Sequence, residues 1–312
     1  MGYARWDPNA WTDYLRSTEG RSRHELFTSR GMRDHLNPRF IGRRESRDSD
    51  LNPRSTPIIV AVDVTGSMGM LAENLVRHGL RPLFEEIIER QPVPDPHVMA
   101  MAVGDAWCDR APLQVTQFEA DLRIAEQIQG LWIEGGGGGN QHESYHLPWY
   151  FAATRTSVDS WEKRGEKGYL FTVGDEPAPP GLAARHLRDI FGDGDHADLT
   201  TGQVLAMAER SWEVFHLMVE EGHYHRRDPD GVRSSWRLVL GQRALPLTDH
   251  TRLAEVIVST IEVNEGLDPA TVAGSWSADT AGVVDDAIRD LRRRDPGDTD
   301  PGDTGRGPER DR

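Results

Sequence analysis

Residues 58–69 read IIVAVDVTGSMG. The first part is a run of β-branched and apolar residues with no alternation, the pattern of a strand buried on both faces in a parallel sheet. It stops abruptly at Asp63. Three oxygen-bearing side chains, Asp63, Thr65 and Ser67, then alternate with small or apolar residues through a glycine-containing turn. Loops at the C-terminal ends of parallel strands are where α/β proteins place ligand sites. Clustered carboxylate and hydroxyl oxygens suit a hard divalent cation such as Mg2+. The same residue types also cap helices, so a metal loop and a plain strand-to-helix connection both stand open at this point.

Outward from this stretch, strand patterns alternate with helix patterns. Residues 57–63 form the first expected strand, and residues 71–90 carry apolar side chains at helical spacing (Leu75, Leu80, Leu83, Phe84, Ile87). Further strands are expected at 97–103, 168–173 and 212–219, with a short alternating edge strand at 113–118. Helices are expected at 120–132, 142–161 (disturbed by Pro148), 181–191, 200–209 and 250–262. Such alternation implies a doubly wound α/β fold: a central, mostly parallel sheet of about six strands covered by helices on both faces. Residues 1–56 read as an arginine-rich extension that wraps the domain or contacts a partner, and 57–266 as the domain. Residues 267–312 read as a mostly disordered tail with a short helix near 282–294, ending in the low-complexity run DPGDTDPGDTGRGPERDR.

Composition narrows the function classes. The formal net charge is −15, which argues against a general nucleic-acid or anionic-membrane binder. Cys108 is the single cysteine, so an intramolecular disulfide framework and a Cys-based zinc site are both excluded. A reducing cytoplasm fits, and no stretch reaches the roughly 18 apolar residues of a membrane span. The richness in Arg, Asp and Gly suggests a GC-rich bacterium or its phage.

The motif DVTGS resembles the metal-ion-dependent adhesion site of von Willebrand factor A (vWA) domains, written Asp-x-Ser-x-Ser in that family, with Thr65 here keeping the hydroxyl of the middle serine. Two further stretches follow in the order that family has them. Residues 135–143, GGGGGNQHE, match the spacing of a subgroup that writes Gly-Gly-Gly-Asp-x-Pro-Glu, with Asn140 at its Asp and Glu143 at its Glu. Residues 171–177, FTVGDEP, end a buried strand in Asp175, where the family has its last metal carboxylate; the spacing differs from Thr-Asp-Gly by a residue or two. In isolation the first is a flexible glycine loop and the second a common strand-to-helix turn. The resemblance implies Mg2+ (or Mn2+) held by Asp63, Thr65, Ser67, Asn140 and Asp175, with Glu143 and Asp105 supporting those ligands from behind. It further implies no catalysis, but capture of a protein partner that supplies an Asp or Glu to the ion. Intracellular proteins of the family often serve AAA+ ATPases of the MoxR or chelatase type.

A different class of answer comes from residues 142–146, HESYH, which match the zincin pattern His-Glu-x-x-His. There, two histidines one helical turn apart bind zinc and the glutamate acts as base. Against it, His142, Glu143 and His146 follow directly on a pentaglycine, and Pro148 falls where the helix must continue. A structural protein with a degenerate, metal-free site is the third reading. Residues 192–198, GDGDHAD, hint at a calcium loop but lack its downstream glutamate. His223 and His225 read as part of an exposed polar loop. No Walker sequence and no nucleophile elbow is present.

Overall fold

The structure is a computed structural model and describes residues 6–135 and 142–292, except the side chains of Ser67 and Val76. Its centre is a six-stranded sheet. In chain order the strands are β1 (Thr56–Asp63), β2 (Pro96–Val103), β3 (Leu113–Val115), β4 (Gly168–Gly174), β5 (Trp212–Val219) and β6 (Ala244–Leu247). The spatial order is β6-β5-β4-β1-β2-β3, with every pair parallel except β2–β3. The expected doubly wound α/β architecture is therefore present, with its antiparallel strand at one edge.

The strands read as continuous apolar runs because both sheet faces are covered. Along β1 the side chains alternate between two cores. Ile58, Val60 and Val62 pack with Leu71, Phe84, Ile128 and Ile257 on one face. Ile59 and Ala61 pack with Tyr145, Trp149, Leu170 and Phe151 on the other. β1 lies between β4 and β2, so the chain leaves it in opposite directions along the sheet. That reversal opens a crevice at the C-terminal ends of β1 and β4, the position where doubly wound folds bind ligands. It is where Asp63 and Asp175 stand.

Several elements differ from the sequence expectation. The helix expected at 71–90 begins after a 3-10 turn at Gly66–Gly69 and passes through a π-helical stretch, Leu75–Gly79, before the regular helix Leu80–Arg90. The helix expected at 142–161 spans only His146–Arg155; a short strand, Thr156–Val158, and the helix Asp159–Arg164 follow. The strand β6 and the helix Pro229–Leu240 before it add to the elements expected from the sequence; the helix buries Val232, Trp236 and Leu240 at helical spacing.

The flanking segments also join the fold. Trp11 is fully buried, its ring centroid 5.0 Å from that of Trp6, which stacks on Phe84 at 5.2 Å. Arg44–Ser46 pairs in parallel with Thr156–Val158. Trp6, Trp11 and the strand Arg44–Ser46 are thereby packed onto the rest of the chain. Residues 267–292, read as mostly disordered with a short helix near 282–294, carry two helices, Pro269–Gly274 and Ala278–Ile288, the second overlapping the expected one. Val272, Val284 and Ile288 from these helices, and Leu291 after them, are buried in the core that includes the helix Leu253–Asn264. The remaining tail lies outside the described residues. No helix among the described residues is long and apolar enough to cross a membrane.

Candidate functional site

The crevice is lined by side chains from three strand ends and from the segment before the helix His146–Arg155. Asp63 closes β1 and is fully buried. Its Oδ1 accepts hydrogen bonds from the Thr65 backbone N–H (2.8 Å) and the Thr65 hydroxyl (2.7 Å), the local geometry of an Asx turn. Its Oδ2 accepts from the Tyr145 hydroxyl at 2.7 Å. Burial pushes the Asp63 carboxyl up to about 7; the Thr65 and Tyr145 donors pull it down, and the Asp175 charge pushes it up. The Thr65 oxygen, while donating its proton to Asp63, keeps lone pairs to offer elsewhere. Ser67 stands in the following 3-10 turn; its side chain is outside the described set, as is Asn140 altogether.

Asp175 follows β4 and is almost fully buried; its Oδ2 accepts from the Tyr224 backbone N–H at 2.8 Å. Burial raises its carboxyl, against that hydrogen bond and the nearby His223 and His225. Two glycines make room. A Cβ on Gly222 would lie 2.2 Å from the Asp175 Cβ, and one on Gly174 would lie 2.1 Å from the Tyr145 hydroxyl. Gly174 is therefore what lets the tyrosine reach across to Asp63.

Asp105, two residues beyond β2, is also buried. It accepts from the Trp107 backbone N–H (3.1 Å), the Cys108 thiol (3.0 Å) and the Ser144 hydroxyl (3.4 Å). Glu143 is 2% exposed, and its Oε2 finds no hydrogen-bond partner among the described residues. Burial, then the charges of Asp63, Glu176, Asp109 and Asp105, push its carboxyl up to about 10.

Glu176 and Tyr145 belong to this site and were missed in the sequence. Glu176 is buried, with its carboxyl pushed up to about 8 by burial and by Asp63 and Asp175, and its Oε2 is likewise without a partner among the described residues. Its backbone oxygen accepts from the Trp236 indole at 2.8 Å, which anchors the loop after β4 to the helix Pro229–Leu240. Trp236 in turn stacks on His216 with centroids 3.6 Å apart, and Tyr145 packs edge-on against both. The signals were present but weak: Glu176 adjoins Asp175 in GDEP, and Tyr145 occupies a variable position of HESYH.

The structure thus brings Asp63, Thr65, Asp105, Glu143 and Asp175 to one edge, together with Glu176. The donors are oxygens, which suits a hard divalent cation better than zinc. The two partnerless buried carboxylate oxygens mark a place where positive charge is missing. The acids do not close into an ion-sized cage by themselves. Among the described residues, the only three carboxylate, imidazole or thiol ligand atoms within 4.8 Å of one another belong to Glu221, Asp249 and His250.

The zincin pattern does not take its required form. The helix starts at His146, so His142 and Glu143 precede it, and the two histidines do not share a helical face. His146 is buried, and burial lowers its imidazole to about 4. The GDGDHAD acids do not converge with any third ligand among the described residues. His223 and His225, expected in an exposed loop, lie in the short helix His223–Arg227 with His225 buried.

No family model matches the sequence, and no curated protein does. Solved structures are similar at low identity. The pilus adhesin SpaC of Lactobacillus rhamnosus GG has a TM-score of 0.44 and 12% identity, covering 72% of this chain and 32% of the adhesin. Proximal thread matrix protein 1 from the mussel byssus has a TM-score of 0.42 and 9% identity, covering 67% of this chain and 47% of that protein. A von Willebrand factor type A structure from Catenulispora acidiphila has a TM-score of 0.36 and 11% identity, covering 69% and 43%. The chain spans less than half the length of each of these proteins.

Proposed function

We propose that this chain is a protein-interaction module whose partner is captured at a divalent cation, Mg2+ or Mn2+, in the crevice between β1 and β4. Asp63, Thr65, Ser67, Asn140 and Asp175 would hold the ion, with Glu143 and Asp105 behind them. The observation that carries this reading is the DVTGS turn at the topological switch point of the sheet. There, buried Asp63 orients the Thr65 hydroxyl, and neighbouring buried acids retain partnerless oxygens. When bound, the ion supplies a Lewis-acidic position for a partner's Asp or Glu side chain.

The chain's own groups prepare that position. Tyr145 donates to Asp63 and holds it against the β1 end. Asp175 is fixed by the Tyr224 amide. Neutral donors, the Thr65 hydroxyl and the expected Ser67 and Asn140, leave bound charge less neutralised than a carboxylate cage does, which favours an incoming carboxylate. This arrangement serves binding and requires no proton transfer or nucleophile. The partner class that the resemblance implies is an AAA+ ATPase of the MoxR or chelatase type.

The test is a pull-down from a lysate of the source cell with and without EDTA, using the wild-type chain and Asp63→Ala. Loss of one specific partner on chelation, and the same loss in the folded variant, is the expected result. Calorimetry that detects no Mg2+ or Mn2+ binding overturns the reading and leaves a structural role with a metal-free site.

A further inference from the structure

Next to the crevice, on the side of β2, the fold carries an open cavity of about 500 Å³. Its volume suits a small organic molecule. Its lining combines apolar Trp107, Pro179, Pro180 and Leu182 with the acids Glu143 and Asp105, and among the described residues no lysine or arginine lines it. Asp63, Thr65 and Asp175 do not line it, so it adjoins the crevice and shares Glu143 and Asp105 with it. Three histidines and Cys108 also border the cavity, yet no three of its metal-binding atoms come within 4.8 Å of one another. A lone ion therefore does not account for it.

The chemically informative group is Glu143. It is 2% exposed, lines the cavity, and leaves Oε2 without a donor among the described residues. A buried carboxylate oxygen in that state is destabilising until a donor reaches it. Asp63, Glu176, Asp109 and Asp105 act on Glu143 and press its carboxyl toward the protonated form, so a neutral donor meets the oxygen but leaves that repulsion in place. A cation satisfies both. Trp107, Pro179, Pro180 and Leu182 line the same cavity, so a cation with an apolar body fits it better than a bare one.

We propose that this cavity binds an aliphatic organic cation, a primary ammonium or guanidinium on a short apolar stem. Its N–H groups donate to Glu143 Oε2, and its stem lies against Trp107, Pro179, Pro180 and Leu182. Long cationic side chains and small amines share this division into charged head and apolar stem. The source is either a free amine or a lysine or arginine side chain of a protein partner.

The experiment is calorimetric titration of the full chain, in EDTA, with n-butylammonium, n-butylguanidinium and neutral n-butanol. At least one of the cations binds saturably, and n-butanol binds about ten-fold more weakly or worse, the scale of a charge-assisted hydrogen bond. Glu143→Gln, which keeps the shape and removes the charge, lowers cation affinity by at least about ten-fold. Ala106→Phe, which fills the cavity from its edge, abolishes binding while leaving Glu143 in place. Equal binding of n-butanol and the cations, unchanged affinity in folded Glu143→Gln, or no binding of either cation overturns the proposal. Should Glu143→Gln fail to fold, the n-butanol comparison and Ala106→Phe decide. Tighter binding of a Gly-Lys-Gly peptide than of n-butylammonium assigns the site to a partner's lysine; equal binding assigns it to a free amine. Because EDTA is present throughout, failure of the divalent-cation reading leaves this titration interpretable.

Discussion

Without divalent cation, stability should fall as pH rises through the neutral range. The groups responsible are Asp63, Glu176 and Glu143, whose carboxyls are pushed up to about 7, about 8 and about 10 from ordinary values of 3.8 for Asp and 4.5 for Glu. In each the folded state holds a proton that the unfolded chain has released. The stabilisation is therefore complete below the unfolded value and disappears as pH passes the folded one. For Asp63 alone, at ~1.4 kcal/mol per pH unit, unfolding free energy should drop by about 2 kcal/mol between pH 5 and pH 7. Glu143 and Glu176 add to this in the same direction. The assay is urea unfolding in EDTA at pH 5, 6 and 7, followed by tryptophan fluorescence. Asp63→Asn, neutral at every pH, should flatten the profile by its own share. Saturating Mg2+ should flatten it further, since it favours the ionised forms. A pH-independent unfolding free energy in EDTA, or a profile that Asp63→Asn leaves unchanged, refutes the reasoning that these buried acids are uncompensated in the folded chain.

Other perturbations test individual contacts. Tyr145→Phe removes the only side-chain donor to Asp63 Oδ2 seen among the described residues; it should cost about 1.5–3 kcal/mol in urea unfolding above pH 7, where Asp63 is ionised, and less at pH 5. Gly174→Ala places a Cβ 2.1 Å from the Tyr145 hydroxyl, so it should cost at least about 1–3 kcal/mol by overpacking and weaken Mg2+ binding in calorimetry. Trp11→Ala empties a fully buried site shared with Trp6 and Phe84; a loss of about 3–5 kcal/mol is expected, whereas a loss under about 1 kcal/mol would mean that the N-terminal segment does not pack as described.

The fold was legible where sequence signals are local. The runs of β1 and β4 are nearly all apolar because both faces are covered, and they end at Asp63 and Gly174; β5 keeps the same buried pattern despite Glu213 and His216. β6 escaped notice because it has only four residues, one of them Pro246, and pairs along a single edge. The tail from 267 looked polar because its helices bury one narrow face, Val272, Val284 and Ile288, beneath exposed acidic positions. At the site, Asp63 and Asp175 could be placed from their strand ends. Tyr145 could not: its role depends on a crossing between the segment before one helix and the end of β4, 29 residues later in sequence, and on the missing side chain of Gly174. Glu176 was hidden by its neighbour, since only burial distinguishes a structural turn acid from one facing the crevice.

The distribution of ion pairs gives the acids at the crevice their meaning. Elsewhere, buried or half-buried carboxylates are matched by cations of the chain itself: Asp159 by Arg47 and Lys163, Glu262 by Arg90, Glu213 by Arg243, Glu119 by Arg123. At the crevice, none of Asp63, Glu143, Asp175 and Glu176 forms an ion pair with a lysine or arginine among the described residues. What they receive instead is a tyrosine hydroxyl, a threonine hydroxyl and backbone amides. A chain that places arginines against so many of its acids has the means to neutralise these, and an arginine there would relieve the raised carboxyls directly. It would also occupy the space and the charge that an incoming cation needs. Acids left buried, close and unpaired by the chain's own cations are stable only to the extent that they stay protonated or that positive charge arrives from outside, so the edge is set up to respond to a cation rather than to hold the fold together.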